Sequence, residues 1–167
     1  MRQSFHLLDA ARAEAPNLRE AQRLNPRFLS LYKGQSAKAL AEVAPYLFAW
    51  ECGSAHARWL RDKGWGQSWG VFGEADADLA GLERHFRKFL IVKQDGGGQL
   101  YFRYYDPRVL RIVLPTCDGG QLEEMFGPVK AYVVEDEDPR FALRFTLQNR
   151  RLKTERAEVA TCGWLGA

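Results

Sequence analysis

LYFRYYDPRVLRIVLP, residues Leu100–Pro115, passes from one secondary-structure period to another without a linker. Leu100–Tyr105 alternates as a strand does, with Leu100, Phe102 and Tyr104 on one face and Tyr101, Arg103 and Tyr105 on the other. Asp106 suits an N-cap, and Pro107 suits the first helical position, where no backbone N–H is needed. Val109, Leu110, Val113 and Leu114 follow at helical spacing, and Pro115 closes the helix. The junction predicts a corner fixed in the core on one side. Its other side carries Arg103, Arg108 and Arg111 with Tyr105.

Those arginines sit at some electrostatic cost. Arg108 falls in the first helical turn, where the positive end of the helix dipole disfavours a cation. Arg111 lies three residues on and shares its face, a like-charge pairing that costs roughly 0.2–0.5 kcal/mol. One reading is an internal ion-pair network, with the acidic run Glu135–Asp138 as a candidate partner. The other is a docking site for a partner's carboxylates, since Arg and Tyr concentrate binding energy at interfaces. The two readings are compatible if different arginines take the two roles.

Outward from this junction, the 167 residues suffice for one domain with a sizeable core. A hydrophobic content of 46% and an aromatic content of 13% argue for a folded chain. The fold class expected is a mixed α/β, α+β single domain, with a mixed, partly antiparallel sheet of about six to eight strands flanked by short helices. Residues 1–148 read as the core and 149–167 as a C-terminal tail or strand extension. The opening MRQSFHLLDAARAEAP lacks the unbroken apolar core of a signal peptide, and no run is long enough to span a bilayer. A cytoplasmic location without membrane contact is expected.

Individual elements follow from local signals. Ser4–Leu8 reads as a strand, and Ala10–Leu24 as helix interrupted at Pro16. Arg27–Tyr32 reads as a strand, and Ala37–Val43 as a helix capped by Ser36. Tyr46–Trp50 is a buried strand, and Ala55–Lys63 a helix between Ser54 and Gly64. Asp76 or Asp78 caps a helix bearing Leu79, Leu82 and Phe86. Phe89–Lys93 and Leu100–Tyr105 form a hairpin about Asp95–Gly98. Gln121–Phe126 is one or two helical turns, and Val129–Val134 pairs with the alternating strand starting at Phe141. Beyond Asn149 the pattern weakens into a basic, fraying segment and a small apolar end with Trp164.

Catalytic and metal-binding patterns are sparse. No Walker loop, HExxH or GxSxG is present, and Cys52, Cys117 and Cys162 are dispersed, so neither a metal nor a cofactor is expected. A small enzyme around Cys117 or His85 is one alternative, although His85 at a helix end suits the dipole as a surface residue. A nucleic-acid module using Arg84, Arg87, Lys88, Arg150, Arg151 and Lys153 is another, against which the net charge of +3 is mild. Trp59 and Trp69 read as core. Trp65, between two glycines, reads either as cover for the core edge or as a partner anchor.

Eight blocks occur in a distinctive order: LLDAA (Leu7–Ala11), SLYKG (Ser30–Gly34), APYL (Ala44–Leu47), GWGQSWG (Gly64–Gly70), RHFRKFLIV (Arg84–Val92), FRYYDPRVL (Phe102–Leu110), LPTC (Leu114–Cys117) and FGPV (Phe126–Val129). Together they resemble the adaptor/chaperone domain of bacterial type VI secretion systems, over about Leu7 to Val134. The resemblance implies a non-enzymatic protein of mixed α/β core. Such a protein binds a toxic effector in the cytoplasm and loads it onto the VgrG spike. The residues expected to meet a partner are Arg103, Tyr105, Asp106, Arg108, Arg111 and Trp65. In this family a C-terminal extension often selects the cargo, and residues 149–167 are the stretch in this sequence that can serve so.

Overall fold

The computed structural model describes residues 2–93 and 95–163. Trp164 lies outside them. The chain begins with strand β1 (Gln3–Asp9), whose last residue caps helix α1 (Ala10–Ala13) by accepting from the Arg12 N–H at 3.3 Å. Glu14, at φ 72°, breaks the helix, and Pro16 sits in the first turn of α2 (Ala15–Leu24). Next come β2 (Phe28–Ser30), α3 (Gly34–Ala39) and β3 (Pro45–Ala49). Ser54 caps α4 (Ala55–Lys63) through the Ala57 N–H at 3.0 Å, and β4 (Gly70–Ala75) follows. Asp78 caps α5 (Leu79–Arg87) through the Gly81 N–H at 2.7 Å. The ribbon β5 (Ile91–Lys93) and β6 (Gln99–Tyr101) leads to α6 (Pro107–Val113), which tightens into a 3-10 turn over Leu114–Thr116. Asp118 and Gln121 form a capping box at the start of α7 (Gly119–Phe126). The chain then runs through β7 (Val129–Glu135), β8 (Phe141–Gln148) and β9 (Arg151–Glu158).

Seven of these strands form one sheet in the order β2-β3-β1-β4-β7-β8-β9. Every pairing described in it is antiparallel, so the expected mixed sheet is wholly antiparallel. Helices cover both faces. Alternate residues of β1 enter opposite layers, with Phe5 and Leu7 in the main core and Leu8 in the second. The main core adds Leu82 and Phe86 of α5, Leu110 of α6, and Leu122 and Phe126 of α7. The opposite layer takes Leu18 of α2 and Leu60 of α4. Burial on both faces explains why β3 reads as an unbroken apolar run.

Three elements depart from the sequence reading. The alternation expected over Leu100–Tyr105 stops at Tyr101, because the Phe102 N–H turns to the Leu90 carbonyl at 3.1 Å and Arg103–Asp106 closes a turn. Tyr104 and Tyr105 are therefore both buried, and the hairpin is a separate two-stranded ribbon. Ser36 lies inside α3, whose N-cap is Lys33. Of the two readings of the segment after Asn149, a tail or a strand extension, residues 151–158 take the second and do not fray, because they pair with β8 along their whole length. Their exposed face weakens the alternating signal, as an edge strand does.

The turn joining β8 to β9 places Asn149 at φ 50° and Arg150 at φ 60°. This is the left-handed pair that favours Asn-Gly. Arg150 also pairs with Glu123 at 3.2 Å, but both side chains are more than half open to water, where such a pair adds little. Arg150→Gly should therefore raise stability by about 0.5 kcal/mol, roughly 1–2 °C in melting temperature. A drop in a thermal melt would show that the ion pair outweighs the backbone strain.

Candidate functional site

The corner anticipated around Asp106 is built from three of the sequence blocks. Asp9, wholly buried at the end of β1, ties them together. Its backbone N–H donates to the Trp69 carbonyl at 2.7 Å. One carboxylate oxygen caps α1, and the other accepts from the Arg103 guanidinium. Burial opposes the charge on Arg103, but the bond to Asp9 outweighs it and raises the arginine pKa.

Asp106 repeats the arrangement at α6. It is buried, and its oxygens accept from the Arg108 backbone N–H at 2.9 Å, from Nε at 3.1 Å and from Nη2 at 2.7 Å. Burial raises its pKa, yet these bonds win and hold the carboxyl below its usual range. Each buried carboxylate thus anchors one guanidinium. The Arg103 and Arg108 side chains still keep 43% and 46% of their surface open. Beneath them Tyr105 is buried, and burial pushes its phenol pKa up. Arg111 donates to the Glu135 backbone carbonyl at 2.5 Å.

The acidic run does not neutralise the arginines in the way the sequence suggested. Glu135 is buried at the end of β7 rather than solvated. Its carboxylate accepts from the Gly66 N–H at 2.7 Å, the Ser68 N–H at 2.8 Å and the Ser68 hydroxyl at 3.0 Å. That pins the GWGQS loop, where Ser68 holds φ 59°. Trp65 is fastened as well: its Nε1–H donates to the Pro139 carbonyl at 2.6 Å, and its ring lies 6.0 Å from that of Phe72. Between loop and helix lies an open cleft of 250 Å³ lined by Gly66, Ser68, Arg108, Arg111 and Glu135. Ile112, one residue beyond Arg111, is 71% exposed.

Of the six residues singled out, Arg103, Arg108 and Arg111 present donors at the surface, and Tyr105 and Asp106 lie under them. Trp65 closes one side. Sequence reading missed Asp9 and Glu135. Asp9 stands just past the strand read over Ser4–Leu8, with no local partner to mark it. Glu135 was hidden in an acidic run, because its partners are backbone N–H groups far away in sequence.

The other candidates disperse. His85 is buried, not exposed, and its Nε2–H donates to the Met125 carbonyl at 3.1 Å. Burial lowers its pKa. The Cys117 thiol faces the Val113 carbonyl, and burial with nearby Asp118 raises its pKa. Arg84, Arg87 and Lys88 lie on or beside α5, which packs on β3, whereas Arg150, Arg151 and Lys153 lie at the far edge of the sheet. Four strands intervene, about 24 Å at normal strand spacing.

A second buried cluster surrounds His6 of β1. Its ring stacks on Phe72 at 4.4 Å and lies 6.0 Å from both Trp50 and His56. Asn25 donates to His56 Nδ1 at 3.2 Å. Burial, and then the neighbouring His56, lower the His6 pKa, and burial lowers that of His56 to about 4.

Among the described residues no helix is long and apolar enough to cross a membrane, and no group of three or more His, Cys, Asp or Glu is placed to hold a metal ion. Comparison with curated proteins and with solved structures returns no match. A family profile does match, over residues 4–124, and that span takes in Asp9, the GWGQSWG loop and the whole arginine corner. The chain therefore belongs to the domain family of unknown function DUF4123.

Proposed function

We propose that this protein is a non-enzymatic cytoplasmic adaptor of type VI secretion, which binds a toxic effector and helps load it onto the VgrG spike. Membership of DUF4123, a family associated with type VI effector adaptors, supports the class. One observation carries the site: two guanidinium groups are each bonded to a buried carboxylate, while nearly half of each arginine side chain stays open to solvent. Arginine has five donors in a rigid fork, so a guanidinium held by one acid can still take a second from a partner. Its geometry is set before binding, which lowers the entropic cost of docking. The exposed Ile112 gives such a partner apolar surface beside the charges.

The test is co-purification with candidate toxins and with the C-terminal regions of candidate spike proteins from the same genome. Arg108→Ala should weaken the complex by about 2 kcal/mol, roughly thirtyfold. The melting temperature should fall by only about 2–4 °C, since Asp106 keeps its backbone donor. Equal losses in binding and stability would assign the arginine to internal support alone. Failure of the wild-type chain to bind any of these proteins would remove the adaptor reading.

A further inference from the structure

A groove separate from the cleft beside Arg108 and Arg111 lies between α3 and the β5–β6 ribbon, with a volume of 280 Å³. Leu31 and Leu90 form its floor, both buried. Ile91 and Tyr101 are register partners across the ribbon and make one wall. Leu40, at the end of α3, stands on the other. These three wall residues are unusually open for their type, at 46%, 66% and 41% exposure. Such a concave apolar surface is a recognition feature rather than scattered exposure.

The rim is cationic. Lys33, Arg87 and Lys88 line it. Lys33 is paired with Glu83, and Arg87 donates its Nε–H to the Leu31 carbonyl at 3.1 Å. Neither Arg87 nor Lys88 has an ion-pair partner among the described residues, so the rim carries an unbalanced positive charge. An apolar floor and walls under a cationic rim are complementary to a peptide that is apolar on one face and acidic on the other.

Accordingly, we infer that this groove is the docking site for a short amphipathic, acidic segment of the cargo polypeptide. The inference rests on the adaptor reading for the identity of the cargo. A lipid surface is the competing occupant of exposed apolar and basic side chains. The concavity disfavours it, and so does the ribbon turn, which carries Asp95 and glycines where a membrane-inserting tip needs apolar groups.

The probe is a fluorescent short peptide alternating Leu/Phe with Glu, titrated with the full chain and followed by anisotropy. Two control peptides replace Glu by Lys, or Leu/Phe by Ser. A third arm offers phosphatidylglycerol vesicles. The acidic amphipathic peptide should bind, and both controls should fail. Affinity should fall roughly tenfold or more in Lys88→Glu and in Ile91→Asp. It should fall with added salt in the wild type, and both variants should keep the wild-type melting temperature within a few degrees.

Equal binding of all three peptides, or vesicle binding in place of peptide binding, would overturn the assignment. If peptide binding fails while the toxin complex forms, the groove assignment falls and the adaptor reading stands. If the peptide binds but no toxin or spike complex can be assembled, the cargo identity falls instead.

Discussion

Glu135→Ala should lower the melting temperature by roughly 6–12 °C, the equivalent of about 3 kcal/mol in a chain of this size. The side chain is buried, and its two oxygens accept three hydrogen bonds from the GWGQS loop. Truncation leaves the buried Ser68 N–H without an acceptor and removes the restraint that keeps Ser68 at positive φ. Ser68→Ala removes only one hydroxyl bond and should cost about 1 kcal/mol. Glu135→Gln is the informative intermediate. Its amide retains one acceptor but turns an N–H group towards a loop N–H, so most of the loss should remain. A silent Glu135→Gln would show that the carboxylate is not what holds the loop. Because Arg108, Arg111 and this loop line one cleft, complex formation should weaken together with stability.

Mild acid should destabilise the protein through two buried histidines. His6 and His56 are buried within an aromatic cluster, and both have lowered pKa values, with His56 near 4. An unfolded imidazole titrates near 6.5. Between those values the unfolded chain takes up protons that the folded chain refuses, so stability is complete above about pH 6.5 and falls as the pH drops. At about 1.4 kcal/mol for each unit of difference, His56 alone removes about 3 kcal/mol by pH 4. His6 adds to the loss in the same direction. Protonation of His56 also sets a new N–H at Nδ1 against the Asn25 amide donor. Thermal melts from pH 7 to pH 4.5 check this. His56→Gln should lower stability at neutral pH, yet flatten the slope between pH 6.5 and 4.5. An unchanged slope in that variant would place the acid sensitivity elsewhere.

The parts of this fold legible in the sequence were those governed by neighbours in the chain. Ser54, Asp78 and Asp106 cap helices where their spacing to apolar residues predicts. The break at Pro16 and the β7–β8 hairpin follow from equally local rules. What was misread depends on distant partners. Phe102 leaves the ribbon for the Leu90 carbonyl, so an alternating pattern became a turn. The acidic run was one candidate partner for the arginines, but Arg103 pairs with Asp9, far back in the chain. His85 has the spacing of a helix-end cation and the burial of a core residue, because α7 and the Gly127 turn after it close over it.

The order of the sheet has a consequence for synthesis on the ribosome. β1 emerges first and ends third from one edge, and by residue 75 it has met both neighbours, β3 and β4. The partner of β4 on its other side, β7, begins only at residue 129. Throughout that interval a half-made sheet displays the apolar rim of Gly70–Ala75 to every other nascent chain in reach. Slowed translation between those points should therefore raise the yield of insoluble product.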